Sequence, residues 1–273
     1  MLRLILILLL VPIAAAAQDR RPSHCIAVAD ATPGGVYLQK ASWTEPVGEF
    51  TVRISYIDHS MFLVQTEGNL SVVTDYNGFI GSPEFVPDVV TMNHAHGSHW
   101  TANPDPRIPN VLEGWTYDAG PADHHLDLGE MLIRNVPTDI RSPWGEGRED
   151  DGNSIFIFEV AGLCIGHLGH LHHEPSDEQY AAIGRLDVVM AAIDGGMSLD
   201  TPTMMRVLKR LRASIVIPMH WFSLFSLDDF LNGMSEEYRI DTTGGTSLEV
   251  SLRTLPEFPT IHVLSPQFLA EED

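Results

Sequence analysis

The chain has 273 residues, 44% of them apolar and 19% charged, with 22 glycines and 18 prolines; these values exclude a disordered tail, a collagen-like repeat and a disulfide-stapled mini-protein. Sixteen basic residues stand against 37 acidic ones, for a net charge of −21. Neutralising phosphates takes Lys and Arg, so nucleic acid and anionic lipid are not expected partners, and a small-molecule substrate is.

The first segment reads as an address. Met1-Leu2-Arg3 is a short positive start, Leu4 to Ile13 an apolar run, and Ala15-Ala16-Ala17 a small-residue cleavage site before Gln18. The run is shorter than the roughly 20 apolar residues of a membrane-spanning helix and is broken by Pro12. Residues 1–17 are therefore expected to be a signal peptide, with an uncleaved signal anchor as the alternative. Residues 18–273 are expected to form one domain, periplasmic or secreted, with no membrane association after cleavage. Export makes Cys25 and Cys164 a candidate disulfide. Nothing in their spacing brings them together, however, and an inert buried thiol at Cys164 is the default reading.

Short β-rich segments dominate the first half: Phe50–Ile57, Met61–Gln65, Leu70–Thr74, Asp88–Met92, Met131–Val136, Ile155–Val160 and Leu163–His167. Thr101–Asp127, with four prolines, Trp115, Tyr117 and His124-His125, fits no element and reads as a lid, a binding loop or a connector. Helices then alternate with strands. Ser176 and Gln179 form a capping box opening a helix over Asp177–Ile183. Leu186–Ala192 is a strand, and Thr201 with Pro202 opens a helix placing Met204, Leu208 and Leu211 on one face. Ser214–Pro218 is a strand, Ser226–Leu231 a short helix, and Ser247–Arg253 and Thr260–Leu264 close the chain as strands. This order predicts an α/β protein of two mixed sheets packed together with helices outside.

Histidine placement points to chemistry. The strand ending at Met92 runs into Asn93-His94-Ala95-His96-Gly97-Ser98-His99-Trp100. On an extended segment His94 and His96 project to one side, and a turn would bring His99 back toward them. Three imidazoles at a strand end suit a borderline-soft cation such as Zn²⁺. His167-Leu168-Gly169-His170-Leu171-His172-His173 follows a second strand, and Ile217-Pro218-Met219-His220-Trp221 ends a third. Sites of α/β sheets gather at such ends.

From about Phe50 to Trp221 the sequence resembles the metallo-β-lactamase superfamily, most nearly its ascorbate-6-phosphate-lactonase-like branch of metal-dependent hydrolases. Ile54-Ser55-Tyr56-Ile57-Asp58-His59-Ser60 is similar to that branch's opening strand and Gly-His-Ser turn, with Asp58 in place of Gly. Val72-Val73-Thr74-Asp75 resembles the strand ending in the first-motif Asp. His94-Ala95-His96-Gly97-Ser98-His99 resembles the signature His-x-His-x-Asp-His except at Ser98. His167 to His173 resembles His-Leu-Gly-Asp-Leu-Gly-His, with His170 in place of the metal-bridging Asp. Ile217-Pro218-Met219-His220-Trp221 resembles Ile-Pro-Met-His-Tyr except at Trp221. The resemblance implies a four-layer αββα sandwich.

The departures bear on the metal. Ser98 replaces a carboxylate ligand, no His stands near Pro137-Thr138-Asp139-Ile140 where the third-motif His is expected, and neutral His170 offers one lone pair where a carboxylate bridges two cations. One ion is therefore expected rather than two, zinc first, with Mn or Fe as alternatives. The expected ligands are His94, His96 and His170, with His99 and His220 completing a larger or shifted site. Neutral ligands would let bound water reach a pKa of about 7 and supply hydroxide. Asp194 and Asp139 are the candidates for general acid/base work left vacant at Ser98. His59, His167, His172 and His173 are candidate supporting or substrate-contacting residues, and Trp100, Trp115, Trp144 and Trp221 could line an apolar pocket. The expected function is an exported metal-dependent hydrolase using metal-bound hydroxide on a small ester, lactone, amide or phosphoester. The alternatives are a degenerate member that binds metal or ligand without catalysis, and an iron site doing oxygen chemistry.

Overall fold

Large apolar side chains at alternating positions give the first strands two buried faces, and the fold follows from what covers each. The computed structural model describes residues 20–27, 42–82, 84–94, 96–116, 120–142 and 147–270. The leader at 1–17 and Trp144 lie outside the described residues. The elements in chain order are α1 (His24–Ala27), β1 (Val52–Asp58), β2 (Met61–Thr66), β3 (Ser71–Val73), β4 (Val89–Met92), β5 (Asn110–Glu113), β6 (His125–Asp127), β7 (Met131–Arg141), β8 (Arg148–Val160) and β9 (Leu163–His167). They continue with α2 (Asp177–Ile183), β10 (Val188–Ala192), α3 (Thr201–Leu211), β11 (Ile215–Met219), α4 (Leu224–Met234), β12 (Arg239–Asp241), β13 (Ser247–Val250) and β14 (Thr260–His262).

The strands form two sheets, of order β13-β1-β2-β3-β4-β5 and β12-β14-β11-β10-β9-β8-β7-β6. In each, an antiparallel part gives way to a parallel one, at β3–β4 and at β9–β10. Val52, Ile54, Phe62 and Val64 of the first sheet share a core with Phe156, Phe158, Met190 and Ile217 of the second. The intervening residues Val189, Ala191 and Val216 pack instead under Met204, Val207 and Leu208 of α3 and Phe230 of α4. Strands buried on both faces lose the apolar–polar alternation, which is why β10 and β11 read as unbroken apolar runs. The α/β sandwich expected from the sequence is thus observed. Among the described residues, the outer face of the six-stranded sheet is covered by non-helical segments carrying Trp43, Tyr76, Ile80, Phe85, Ile108 and Leu269.

Several boundaries differ from expectation for local reasons. The segment 101–127 contains two short strands, β5 and β6, that add to sheet edges by pairing with β4 and β7. β12 is a third unanticipated strand of this kind. Asp200, not Thr201, caps α3, its side chain accepting from Thr203 N. Ser223 caps α4, which therefore starts two residues before the expected Ser226. The capping box of α2 forms as expected. Contrary to the default reading, Cys25 and Cys164 are joined as a disulfide. The segment around Cys25 is drawn to β8 by buried Glu159, which accepts from Ser23 Oγ (2.5 Å) and His24 N (2.9 Å).

Candidate metal centre

The parallel strands of both sheets end at one seam, where backbone turns deliver the polar side chains. Beyond β3, Asp75 adopts φ 44°; in the β1–β2 turn His59 has φ 51°; directly after β11 His220 has φ 56°. Left-handed backbone at non-glycine residues costs of order 1–3 kcal/mol and concentrates where geometry serves a site. The His220 N–H donates to the His59 carbonyl (2.9 Å), tying the two sheets together at this point.

Two buried carboxylates orient two imidazoles. Asp75 accepts from Asn93 Nδ2 at 2.6 Å and from His99 Nδ1 at 2.7 Å. Burial pushes this carboxyl up, but the neighbouring His167 and His99 and the hydrogen bonds from His99 and Asn93 outweigh it and hold it below the usual carboxylate range. Asp194, after β10, accepts from the backbone N–H of Gly196 and Ser198, and its Oδ2 lies 2.9 Å from His220 Nδ1. Here too burial is outweighed by these contacts, with His220 first, and the carboxyl lies far below its ordinary value. His99 therefore directs its Nδ1 proton at Asp75, and His220 Nδ1 stands at ion-pair distance from Asp194. Their Nε2 atoms face each other 3.3 Å apart.

That last distance fits a site for a cation. The His99 proton on Nδ1 leaves its Nε2 as a bare lone pair facing His220. Two imidazole nitrogens this close, each ring with a buried carboxylate beside Nδ1, suit a shared cation. With Zn–N bonds of about 2.0–2.1 Å, two ligands of a tetrahedral ion stand about 3.3–3.4 Å apart. The carboxylate–imidazole pairs are also the usual support behind metal-binding histidines.

His96 and His59 complete the cluster. Ser98 Oγ lies 2.7 Å from His96 Nδ1 and 2.8 Å from His59 Nε2, so one hydroxyl fixes both rings. Burial first, then repulsion from neighbouring imidazoles, pushes His59 down to about 3 and His96 down to about 4. Both are therefore neutral, as ligands must be. One ligand atom from each of His59, His96, His99 and His220 lies within 4.8 Å of the others, and so does the trio His170, Asp194 and His220.

The remaining expected residues are placed differently. His94 belongs to neither group: its Nδ1 lies 3.0 Å from Glu149 Oε1, and its ring stacks on Trp115. Asp139 accepts from Asp151 N and pairs with Arg148 at 2.8 Å, which makes it a hairpin-bracing residue. Asp194 holds His220 and its own loop, so it positions an imidazole and is not a free base. His167 is locked by donation from Nε2 to Ser60 O and acceptance at Nδ1 from Gly169 N. Trp221 packs in the helix-side core. His59 is the residue that sequence reasoning undervalued; its signal was the Asp58-His59-Ser60 turn.

Together these features define an imidazole-based metal centre at the seam of a two-sheet α/β sandwich. Residues 53–220 match the family model described as the beta-lactamase superfamily domain, and the chain belongs to the metallo-β-lactamase superfamily. A relative from Carboxydothermus hydrogenoformans named as a metal-dependent hydrolase is 23% identical over 193 residues, covering 62% of this chain and 84% of the relative. A second of the same name, from Methanospirillum hungatei, is 23% identical over 186 residues, covering 62% and 83%. Among solved structures, a metallo-β-lactamase superfamily protein from Thermotoga maritima has a TM-score of 0.57 at 24% identity, covering 78% of this chain and 98% of that one. Igni18, a metallo hydrolase from Ignicoccus hospitalis, has a TM-score of 0.53 at 18% identity, covering 74% and 99%.

Proposed function

We propose that the protein is an exported metal-dependent hydrolase of small esters, lactones, amides or phosphoesters, using one cation, zinc in the first instance, held by His96, His99 and His220. The observation that carries this reading is the pair of Nε2 atoms 3.3 Å apart, each ring backed by a buried carboxylate at Nδ1. A cation held there polarises an acyl or phosphoryl oxygen and acidifies coordinated water. Relatives named as metal-dependent hydrolases support the reaction class, and the His-Leu-Gly and Ile-Pro-Met-His motifs favour the lactonase-like branch.

The chain's own residues shape what can bind. Ser98 couples His59 to His96 and keeps both rings in place. Phe222, 58% exposed, places its ring 4.9 Å from that of His220 and 5.5 Å from that of His59. It offers an apolar surface beside the imidazoles, suited to an apolar substituent on the substrate. Export is supported by the apolar leader and by the Cys25–Cys164 disulfide, a bond that persists in oxidising compartments.

Elemental analysis of protein purified without added metal is expected to find about one ion per chain. His99→Ala or His220→Ala is expected to lower metal affinity by well over the roughly 10–100-fold seen for supporting residues. Assays of the metallated protein on a panel of esters, lactones, amides and phosphodiesters then test catalysis. Absence of turnover on the whole panel would leave the non-catalytic binder, the reading that the missing carboxylates at positions 98 and 170 favour.

A further inference from the structure

We propose that a cavity on the outer face of the six-stranded sheet is a second binding site, for a neutral ring compound carrying several hydroxyl groups. It stands independently of the metal centre, since none of His59, His96, His99 and His220 lines the cavity.

The cavity has a volume of about 780 Å³, within the range of about 300–1,000 Å³ usual for small-molecule sites. Two loops wall it, one following β3 and the other preceding β5. The fold holds both in place. In the first, Tyr76 N–H donates to Thr91 O of β4 and Leu269 N–H donates to Ile80 O, each at 2.9 Å. Phe79 N–H donates to Asn77 Oδ1 at 3.1 Å, which closes the turn that presents the Phe79 ring. In the second, Ile108 N–H donates to Asp105 O at 3.0 Å and Arg107 N–H to Asp105 Oδ1 at 2.9 Å. The walls are therefore formed before a ligand arrives, as in most small-molecule sites.

The lining selects the class of ligand. Tyr76, Phe79 and Phe85 from the first loop and Pro104 and Pro106 from the second give each wall an apolar part. Phe79 is 61% exposed, its ring supported by that of Phe268 at 5.1 Å. Polar groups are spread among them, Ser82 in the first loop and Asn103, Asp105 and Arg107 in the second. The Ser82 hydroxyl has no partner in the protein, although the residue is only 5% exposed. A buried polar group in that state calls for a specific explanation, and an occupant of the cavity supplies one. A wholly apolar ligand would strip water from these groups and return no hydrogen bonds. A charged ligand finds nothing to pair with. Arg107 and Asp105 neutralise each other, Nε lying 3.1 Å from both carboxylate oxygens and Nη2 2.6 Å from Oδ2. The net charge of −21 adds a general repulsion of anions. A ring with hydroxyls at its edge and C–H groups on its faces matches both the polar and the apolar parts of the lining.

The test is ligand-observed saturation-transfer NMR on the full chain. Phenyl β-D-glucopyranoside is the neutral probe, with phenyl phosphate and benzyltrimethylammonium as charged counterparts. The glucoside is expected to bind, and each charged probe to bind about tenfold more weakly or not at all. Phe79→Ala removes apolar wall at an exposed position, and Ser82→Ala removes a hydroxyl that bonds nothing in the protein. Each is expected to weaken glucoside binding about 3–10-fold. The urea midpoint of Ser82→Ala is expected not to fall, which would not hold for a hydroxyl serving the fold. Added Zn²⁺ is expected to leave glucoside affinity unchanged. The inference is overturned by absence of glucoside binding, by preference for a charged probe, or by unchanged affinity in either variant. A lower midpoint for Ser82→Ala, or displacement of the glucoside by Zn²⁺, overturns it as well. Phe79→Ala alters an exposed side chain and so keeps the binding test available whatever Ser82→Ala does to folding.

Discussion

Gly169 shows how little freedom the metal centre leaves its backbone. It adopts φ 60°, and a Cβ there would come within 2.3 Å of Asn153 Oδ1 and 2.5 Å of Asn93 Nδ2. Both amides are committed: Asn153 Oδ1 accepts from His170 N, and Asn93 joins Asp75 to Ser154 N. Gly169→Ala is therefore expected to destabilise the protein by about 2–4 kcal/mol, from strained backbone and displaced buried amides together. Urea denaturation checks this, and a loss within 0.5 kcal/mol, about that of an ordinary surface change, would contradict it. At this scale the sequence was informative about residue types and less so about direction. Alternation predicts that His94 and His96 share a side, but β4 ends at Met92. The next residues form a turn, with Asn93 N–H donating to His99 O and His99 N–H to His96 O. His94 consequently swings onto Trp115, and His99 takes the place expected of it. No periodicity rule reaches past the last strand residue.

Among the elements, β8 carries the clearest pH signature. Glu159 is fully buried and accepts from Arg134 Nε at 2.7 Å as well as from Ser23 and His24. Arg134 also donates to the carbonyls of Ala182 and Ile183, satisfying the C-terminal end of α2. Burial raises the Glu159 carboxyl, but the hydrogen bonds from Arg134 and Ser23 and the charges of Arg134 and His24 outweigh it and leave it below its ordinary value. A depressed folded value means stability that is present in full above the ordinary glutamate value of about 4.3 and lost as pH falls through the folded one. Glu159→Gln is expected to cost about 3 kcal/mol at pH 7, because it strands a buried guanidinium. The gap between variant and wild type should narrow as the pH drops below about 4; equal gaps at pH 7 and pH 3 would refute the assignment. Element identity was largely legible: every strand expected from alternation or an apolar run is present. The long β7–β8 ribbon was foreseen only in its apolar part, since Arg148 to Gly152 carries four charged residues and no apolar period. Strands of three or four residues at sheet edges, such as β5 and β6, present too few positions for a period to register.

For the molecule as a whole, the longest-range covalent constraint is Cys25–Cys164, spanning 139 residues. Closing so large a loop removes much unfolded-state entropy, and the gain expected for a bridge of this kind is about 2–5 kcal/mol. Cys25→Ser with Cys164→Ser, or reductant added during denaturation, is expected to lower stability by that amount, read as a lower urea midpoint. An unchanged midpoint would mean the bridge constrains little. The sequence offered this pairing only as a candidate, because it depends on Glu159 collecting an N-terminal segment from more than a hundred residues away. Sheet order is equally non-local: element order predicts two packed mixed sheets, while the strand order within each follows from tertiary pairing.

The interatomic gap between His99 and His220 has a mechanical corollary. Asp75 and His99 follow strands of the six-stranded sheet, whereas Asp194 and His220 follow strands of the eight-stranded one. Each half of the sandwich thus owns one carboxylate-backed nitrogen, and the proposed ligand set of His96, His99 and His220 draws on both. An ion seated between them acts as a rivet through the joint, and the resistance of the two halves to separation rises with its free concentration by mass action.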